Sequence, residues 1–351
     1  MKNRNLIIII ILSIISVIFV YNDDFLYKKE IIKITKINTI KEEISQNSLG
    51  LKERIYTRKI TGVVTNGKNK GKIKSFNYEE TFSSVTTDRY KIHDKVFIES
   101  GSIDGLKRDF YIMILVNIFI ISIFIVGEYK GLLSILSVML NFTIFYAGLY
   151  VYFRGVNMLA LCMIESIIFS IFSLFIAGGI NKKTISAILS VIASVVILLL
   201  MLIVIASTTN YSGINFNELN FLTVPPEDVI LSELLIGCIG ATMDVAITIS
   251  SSISELIDKD KNISVKKLNN SSKQIGKDIM STMSNVLFFT YLCAGLPIFV
   301  LAIRNGYSVY NYITANFSLE LTRFLVGSIA IIMTIPISTF ISIKIFKRGE
   351  V

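Results

Sequence analysis

The 351-residue chain is poor in charge, with one histidine and three cysteines. Charged residues make up 17% of it, against about 25% in ordinary soluble domains. Hydrophobic residues reach 52%, and the mean hydropathy is +0.64. That balance excludes a soluble enzyme and a disordered or collagen-like chain. Cys162, Cys238 and Cys293 all fall inside apolar runs. They form no disulfide framework of the secreted kind and are expected to be buried free thiols acting as small apolar residues. His93, just ahead of Asp94, reads as an ordinary turn residue. The sequence contains no P-loop, Gly-rich dinucleotide fingerprint, HExxH or Cys/His metal spacing. No enzymatic reaction, metal site or cofactor is therefore expected. Asp244 is not in a Gly-x-Gly-Asp context, which speaks against an intramembrane aspartyl protease.

What is present is a series of long apolar runs. Leu6–Tyr21 follows Lys2 and Arg4, a layout shared with signal peptides. Asn22, Asp23 and Asp24 offer no small-residue cleavage site, so residues 1–21 are expected to be an uncleaved transmembrane anchor. Residues 22–109 turn polar and charged. Strand-like residues flank Asn66-Gly67, a hairpin signal, and Asp94-Lys95-Val96-Phe97-Ile98 reads as a turn entering a strand. One small β-rich domain is expected there, a partly closed barrel. Apolar runs then follow at 110–127, 131–153, 156–179, 185–206, 228–253, 285–303 and 320–345. Runs of this length are read as membrane-spanning helices. The fold class is therefore an all-α polytopic membrane protein of about eight transmembrane helices with a small extracytoplasmic β-rich domain. Residues 110–351 form a seven-helix membrane domain, and the polar stretch 255–284, with its six lysines, is expected to be a cytoplasmic loop.

The formal net charge of +9 invites a nucleic-acid reading. It fails, because the basic residues sit where membrane topology needs them. With the N-terminus in the cytoplasm, Lys2, Arg4, Lys130, Lys182, Lys183, the six lysines of 255–284, Lys344, Lys347 and Arg348 fall inside. Only Arg154 and Arg304 fall in short outer loops. By the positive-inside rule both termini are cytoplasmic and residues 22–109 lie outside the cell membrane. Lys68, Lys70, Lys72 and Lys74 read as a solvated hairpin face, or as a patch for an anionic envelope polymer.

Polar groups within hydrocarbon are costly and mark functional candidates. In the run 228–253, Gly237, Ala241, Asp244, Thr248 and Ser251 share one helical face. Gly237, Gly240 and Ala241 are small enough to let another helix approach. Asp244 is either a proton or cation site lined by hydroxyls, or a structural group bonding a neighbouring helix. Asp278, Thr282 and Asn285 form a second face, on a re-entrant or broken helix that holds an ion or on a capping and anchoring segment. Glu165 sits mid-run beside Ser166, Ser170 and Ser173, and either pairs with Arg154 or Arg323 or serves a pathway. Pro297 and Pro336 are expected to kink their helices.

Four segments resemble the YibE/F family of bacterial multi-pass membrane proteins. They are Ala177–Thr184 (AGGINKKT), Gly240–Ala246 (GATMDVA), Gln274–Met280 (QIGKDIM) with Thr282-Met283-Ser284-Asn285, and Gly327-Ser328 followed by Thr334-Ile335-Pro336. The chain differs from the pattern expected of that family at Ser281, where Gly is usual, and at Cys293-Ala294. The resemblance implies a bacterial cytoplasmic membrane location and the topology above, but no reaction. The functional expectation is a secondary transporter or ion-coupled permease for an unknown small solute or cation. The alternative is a membrane scaffold that binds an envelope partner through residues 22–109.

Overall fold

The computed structural model describes residues 2–46, 52–82, 87–209 and 226–347. The chain divides into two compact units, residues 1–132 and 133–351.

The first unit begins with helix α1 (Lys2–Asn22), apolar after its first turn, and a short 3-10 turn (Asp23–Leu26). Five antiparallel strands follow: β1 (Glu30–Gln46), β2 (Lys52–Val64), β3 (Ile73–Thr81), β4 (Lys95–Glu99) and β5 (Ser102–Leu106). Their order in the sheet is β3-β2-β1-β4-β5. Alternation along β1 sends Ile32 and Ile34 to one face, where they meet Ile60, Val64, Val96 and Ile98 in a single core. Register is held by pairs such as Ile32 with Val64 and Glu30 with Ile98, and β1 is bulged after Ile34 and after Thr39. Phe76 and Tyr78 of β3 and Ile103 and Leu106 of β5 pack on the same core. Among the described residues no ladder joins β3 to β5, so the expected partly closed barrel is a curled, open sheet.

Asn66 does not act as the hairpin turn residue that its Asn-Gly sequence announces. It is buried, its Oδ1 accepts from Ile31 N at 2.7 Å, and its Nδ2 donates to the carbonyls of Asp24, Tyr27 and Lys29 at 2.9–3.1 Å. One side chain thereby ties the β2–β3 connection to the segment leaving α1. His93 does sit in a turn, with φ 78°.

A second clamp closes this unit. Lys107, only 4% exposed, directs its Nζ at Asp23 Oδ1 (2.5 Å), Asp109 Oδ2 (2.8 Å) and Asp24 Oδ1 (3.5 Å), and donates to Val20 O at 3.0 Å. Lys95 Nζ lies 2.7 Å from Asp24 Oδ2. The Tyr27 hydroxyl donates to Asp109 Oδ2 at 2.8 Å. Burial and the Asp109 carboxylate push this phenol up to about 12. Burial works against the Lys107 ammonium, but its bonds to Asp109 and Asp23 outweigh that and raise its pKa above the usual lysine value.

Helix α2 runs from Asp109 to Tyr152 and corrects the expected count. Two spans were expected, at 110–127 and 131–153; α2 counts as one 44-residue element, but a kink at non-helical Glu128 (φ 49°, ψ −126°) divides it into two helical arms that match those runs. Among the described residues, seven helices, rather than eight, are long and apolar enough to cross a membrane. The polar Glu128-Tyr129-Lys130 interrupts the hydropathy while helical hydrogen bonding resumes on either side. The bend at Glu128 is sharp: a Cβ on Gly131 would lie 2.5 Å from the Ile123 carbonyl oxygen. In a straight helix those residues stand about 12 Å apart along the axis.

The second unit contains the end of α2 and helices α3 (Met158–Gly178), α4 (Lys182–Thr209), α5 (Pro226–Lys259), α6 (Val265–Arg304) and α7 (Val309–Phe346). Local chemistry sets their ends. Asn157 caps α3 by accepting from Ala160 N at 3.0 Å, and Gly179 (φ 70°) ends it. Asn181 Oδ1 then accepts from Thr184 N at 2.9 Å to start α4, and Ser264 accepts from Lys267 N at 3.3 Å to start α6. Helix α5 is central. Leu235, Ile239 and Ala246 pack with α3 and α4, while Val245, Ile249 and Ile253 pack with α6 and α7.

The expected loop 255–284 is mostly helical. Residues 255–259 finish α5, only 260–264 lie outside a helix, and α6 begins at Val265. Ile275, Ile279, Met283 and Leu287 recur every fourth residue and pack inward, so the polar stretch is the start of an amphipathic helix. Nothing breaks α6 at 278–285, so of the two readings of that face the re-entrant or broken helix does not hold; Pro297 and Pro336 both lie inside helices. Cys162 and Cys238 are buried as expected, whereas Cys293 is exposed, on a face of α6 that no described helix covers.

Candidate functional site

Glu165 lies mid-way along α3 and is 5% exposed. Its carboxyl group fills the space beside Gly148 of α2, a position where any Cβ would collide with Oε1. Among the described residues, no group bonds that oxygen. Neither expected partner reaches it. Arg154 stacks on the Tyr150 ring, 5.0 Å from its centroid, and bonds the Tyr150 hydroxyl at 3.2 Å, while Arg323 is engaged elsewhere. The neighbouring hydroxyls are also committed: Ser166 donates to Cys162 O, Ser170 to Ser166 O, and Ser173 accepts from Asn141 Nδ2 at 2.6 Å.

On α5, Asp244, Thr248, Gly237 and Gly240 are exposed, and Ala241 and Ser251 partly so. They form an open strip between the flank carrying Met243 and Ile247, packed with α3 and α4, and the flank carrying Ala241 and Val245, packed with α6 and α7. Thr248 Oγ1 donates to Asp244 O at 2.7 Å. The Asp244 carboxylate has no hydrogen-bond or ionic partner among the described residues. Of the three helix-packing residues, Gly237 faces the Tyr291 hydroxyl of α6, 2.9 Å from where a Cβ would stand. Ala241 packs in the α5–α6–α7 core, and Gly240 faces open space rather than a neighbouring helix.

Asp278, Thr282 and Asn285 are likewise exposed along α6. Thr282 Oγ1 bonds back to the carbonyls of Asp278 and Ile279. Among the described residues, no hydrogen bond or ion pair joins this face to Asp244 or to Glu165. The structure therefore presents three separate acidic positions.

Three of the four segments that carry the likeness noted above hold a close-packed glycine. Gly178 lies against Thr184 Oγ1, 2.7 Å from its would-be Cβ, in the tight α3–α4 turn. Gly276 and Gly327 bring α6 and α7 together, their would-be Cβ atoms 2.5 Å from Ile335 Cγ2 and 2.9 Å from Leu287 Cδ1. A YibE/F-like protein model matches residues 115–348, and the YibE/F family N-terminal domain matches residues 25–109. The chain belongs to the YibE/F family. No curated protein and no solved structure matches it. In this YibE/F chain the two matched regions meet next to Lys107 and Asp109, at the clamp that closes the sheet. Family membership and the seven apolar helices are consistent with a membrane protein.

Two clusters in the second unit escape a reading of single runs. Arg323 of α7 lies 2.9 Å from Glu233 Oε2 of α5 and also pairs with Glu320. Glu320 and Arg323, three residues apart within one apolar run, were the available sign. Ser186 of α4, Ser250 of α5 and Ser342 of α7 are fully buried and bond one another at 2.8, 2.9 and 3.3 Å. The stripe Ser186, Ser190, Ser194 was legible, but its partners were not.

Proposed function

We propose that this chain is an ion-coupled secondary permease of the cytoplasmic membrane, and that its role is transport rather than catalysis. The observation that carries this reading is Glu165. A carboxylate enclosed in apolar helices with an unbonded oxygen is costly by several kcal/mol when charged. Binding a proton or a small cation removes that cost, and release restores it, which is the property a coupling site needs. Asp244, equally unpartnered and flanked by Thr248 and Ser251, supplies a second such group. Asp278, Thr282 and Asn285 lie just before the middle of α6.

The test is cation and proton flux in proteoliposomes containing a trapped pH dye. Glu165→Gln keeps the shape and removes the titrating group. Coupled flux is expected to fall at least about tenfold, as it does when a general proton-transfer group is lost, with the melting temperature little changed. Unchanged flux in both Glu165→Gln and Asp244→Asn removes the proposal.

Orientation follows from the basic residues: Lys2, Arg4, the 260–264 turn and Lys347 face the cytoplasm, and residues 22–109 lie outside. With seven helices, this requires α2 to enter and leave on the same side, through its bend at Glu128. Cysteines placed at Lys70 and Lys266 are expected to react with a membrane-impermeant maleimide from opposite sides. Labelling of both from one side refutes the arrangement.

One observation favours a second role for the outer unit. On the distal half of β1, Ile40 and Ile44 are 57% and 65% exposed, apolar side chains in a position suited to an envelope partner. Ile40→Glu with Ile44→Glu is expected to abolish crosslinking of this strand to an envelope protein in intact cells. A crosslink pattern identical to the unaltered protein's counts against it.

A further inference from the structure

Between α6 and α7 lies an open cavity of about 830 Å³ whose two ends differ in character. The helices are antiparallel here, so the start of α6 lies beside the end of α7. Toward that end the cavity is lined by Lys273 and Lys277, one turn apart on α6, by Lys344 of α7, and by the apolar Val265, Phe340 and Ile343. Toward the other end the walls are Met280 and Ile332, with Ile335 beside Gly276 between the two. Gly276 forms the floor where the helices touch, since a Cβ there would meet the Ile335 side chain. Among the described residues, no carboxylate pairs with any of the three lysines. Lys344 Nζ lies 5.9 Å from the Phe340 ring centroid, over the groove wall.

We propose that this groove binds one anionic phospholipid, its phosphate held by Lys273, Lys277 and Lys344 and an acyl chain lying along Met280, Ile332 and Ile335. Charge complementarity selects this occupant. Three unneutralised ammonium groups at one end require an anion, and the apolar walls at the other require a hydrocarbon. A second copy of the chain would bring the same lysines against themselves. Free phosphate leaves the apolar half empty. The positive end is contiguous with the lysine-rich start of α6, so the site opens toward the leaflet whose lipid headgroups are anionic.

Each basic residue near a membrane surface strengthens anionic attraction by about fivefold, so three lysines are expected to favour an anionic over a zwitterionic lipid by roughly 100-fold. The test is native mass spectrometry of the full-length protein in detergent, titrated with phosphatidylglycerol or phosphatidylcholine. One tightly bound phosphatidylglycerol is expected. Its affinity should fall to that of phosphatidylcholine in Lys273→Gln/Lys277→Gln/Lys344→Gln and stay unchanged in Lys259→Gln/Lys261→Gln/Lys266→Gln, which removes the same charge. Equal loss in both triple variants, or equal retention in both, overturns the site. Displacement by millimolar inorganic phosphate also overturns it, in favour of a simple anion site. If the first triple variant does not fold, Ile332→Trp decides: it fills the apolar end, leaves the lysines in place and must weaken phosphatidylglycerol binding at least tenfold. A lipid ratio near unity for the unaltered protein refutes the proposal outright.

Discussion

Lys107→Met is expected to destabilise the N-terminal unit by about 3–5 kcal/mol, the loss typical when one partner of a buried ion pair is removed. The ammonium is nearly inaccessible and neutralises carboxylates contributed by Asp23, Asp24 and Asp109. Without it, Lys95 alone remains against three acids, and the Val20 carbonyl loses its side-chain donor. Against a domain stability of about 5–15 kcal/mol, such a loss populates the unfolded form visibly. Loss of the strand signal on heating the full-length protein in detergent measures it. Adding Asp23→Asn to Lys107→Met is expected to restore part of the stability, because the penalty lies in the uncompensated charge. If Lys107→Met melts with the unaltered protein, the clamp has no energetic role. The same cluster predicts an alkaline limit. The folded-state pKa values of Lys107 and Tyr27 both lie above their unfolded values. Their contributions are therefore complete below about pH 10 and disappear as pH rises through the folded values, for Tyr27 near 12. Phenolate absorbance gained near that pH should be smaller in Tyr27→Phe than in the unaltered protein.

Arg323→Met is expected to cost about as much, roughly 3–5 kcal/mol, in the helical unit. The guanidinium joins α5 to α7 through Glu233 and Glu320, and its loss removes the cation that faces the buried Glu320 carboxylate. Arg323→Lys is not a mild change. One ammonium does not reproduce the planar fork that meets two carboxylates at once, so an intermediate loss is expected. The triple variant Arg323→Met/Glu320→Met/Glu233→Gln removes the charges together and is expected to recover most of the stability, as buried ion networks replaced by apolar groups do. Melting temperatures in detergent rank the three. A triple variant no more stable than Arg323→Met shows that the arginine acts through packing of its stem instead.

The runs 156–179, 185–206 and 228–253 could be placed as helices because each is apolar over more than a bilayer thickness with few charged residues in it. The break at 128–130 was legible, since Glu128 is the kink between the two arms of α2. The stretch 255–284 was not, because polarity marks where a helix meets water, not where helical hydrogen bonding stops; the lysines beside Gly276 ride on the exposed side of α6. The i, i+4 recurrence of Ile275, Ile279, Met283 and Leu287 was the local sign. Acidic candidates were visible one by one, since Glu165 and Asp244 each interrupt an apolar run. Which acid finds a base depends on helices far apart in sequence. Arg323 chooses Glu233, ninety residues away, and Glu165 is left with Gly148.

Asn66 is followed by Gly67, the neighbour that least hinders attack of its own backbone nitrogen on an asparagine side chain with loss of ammonia. In the folded unit the amide is immobilised by its bonds to Ile31, Asp24, Tyr27 and Lys29, so the cyclisation geometry is withheld. An opening of the sheet frees it. Water then opens the cyclic imide to an aspartate or isoaspartate, which returns an anionic oxygen to a place surrounded by three carbonyl oxygens that no longer have a donor. The outer unit thus carries a chemical clock that runs only while it is unfolded, and each molecule in which it strikes loses the way back.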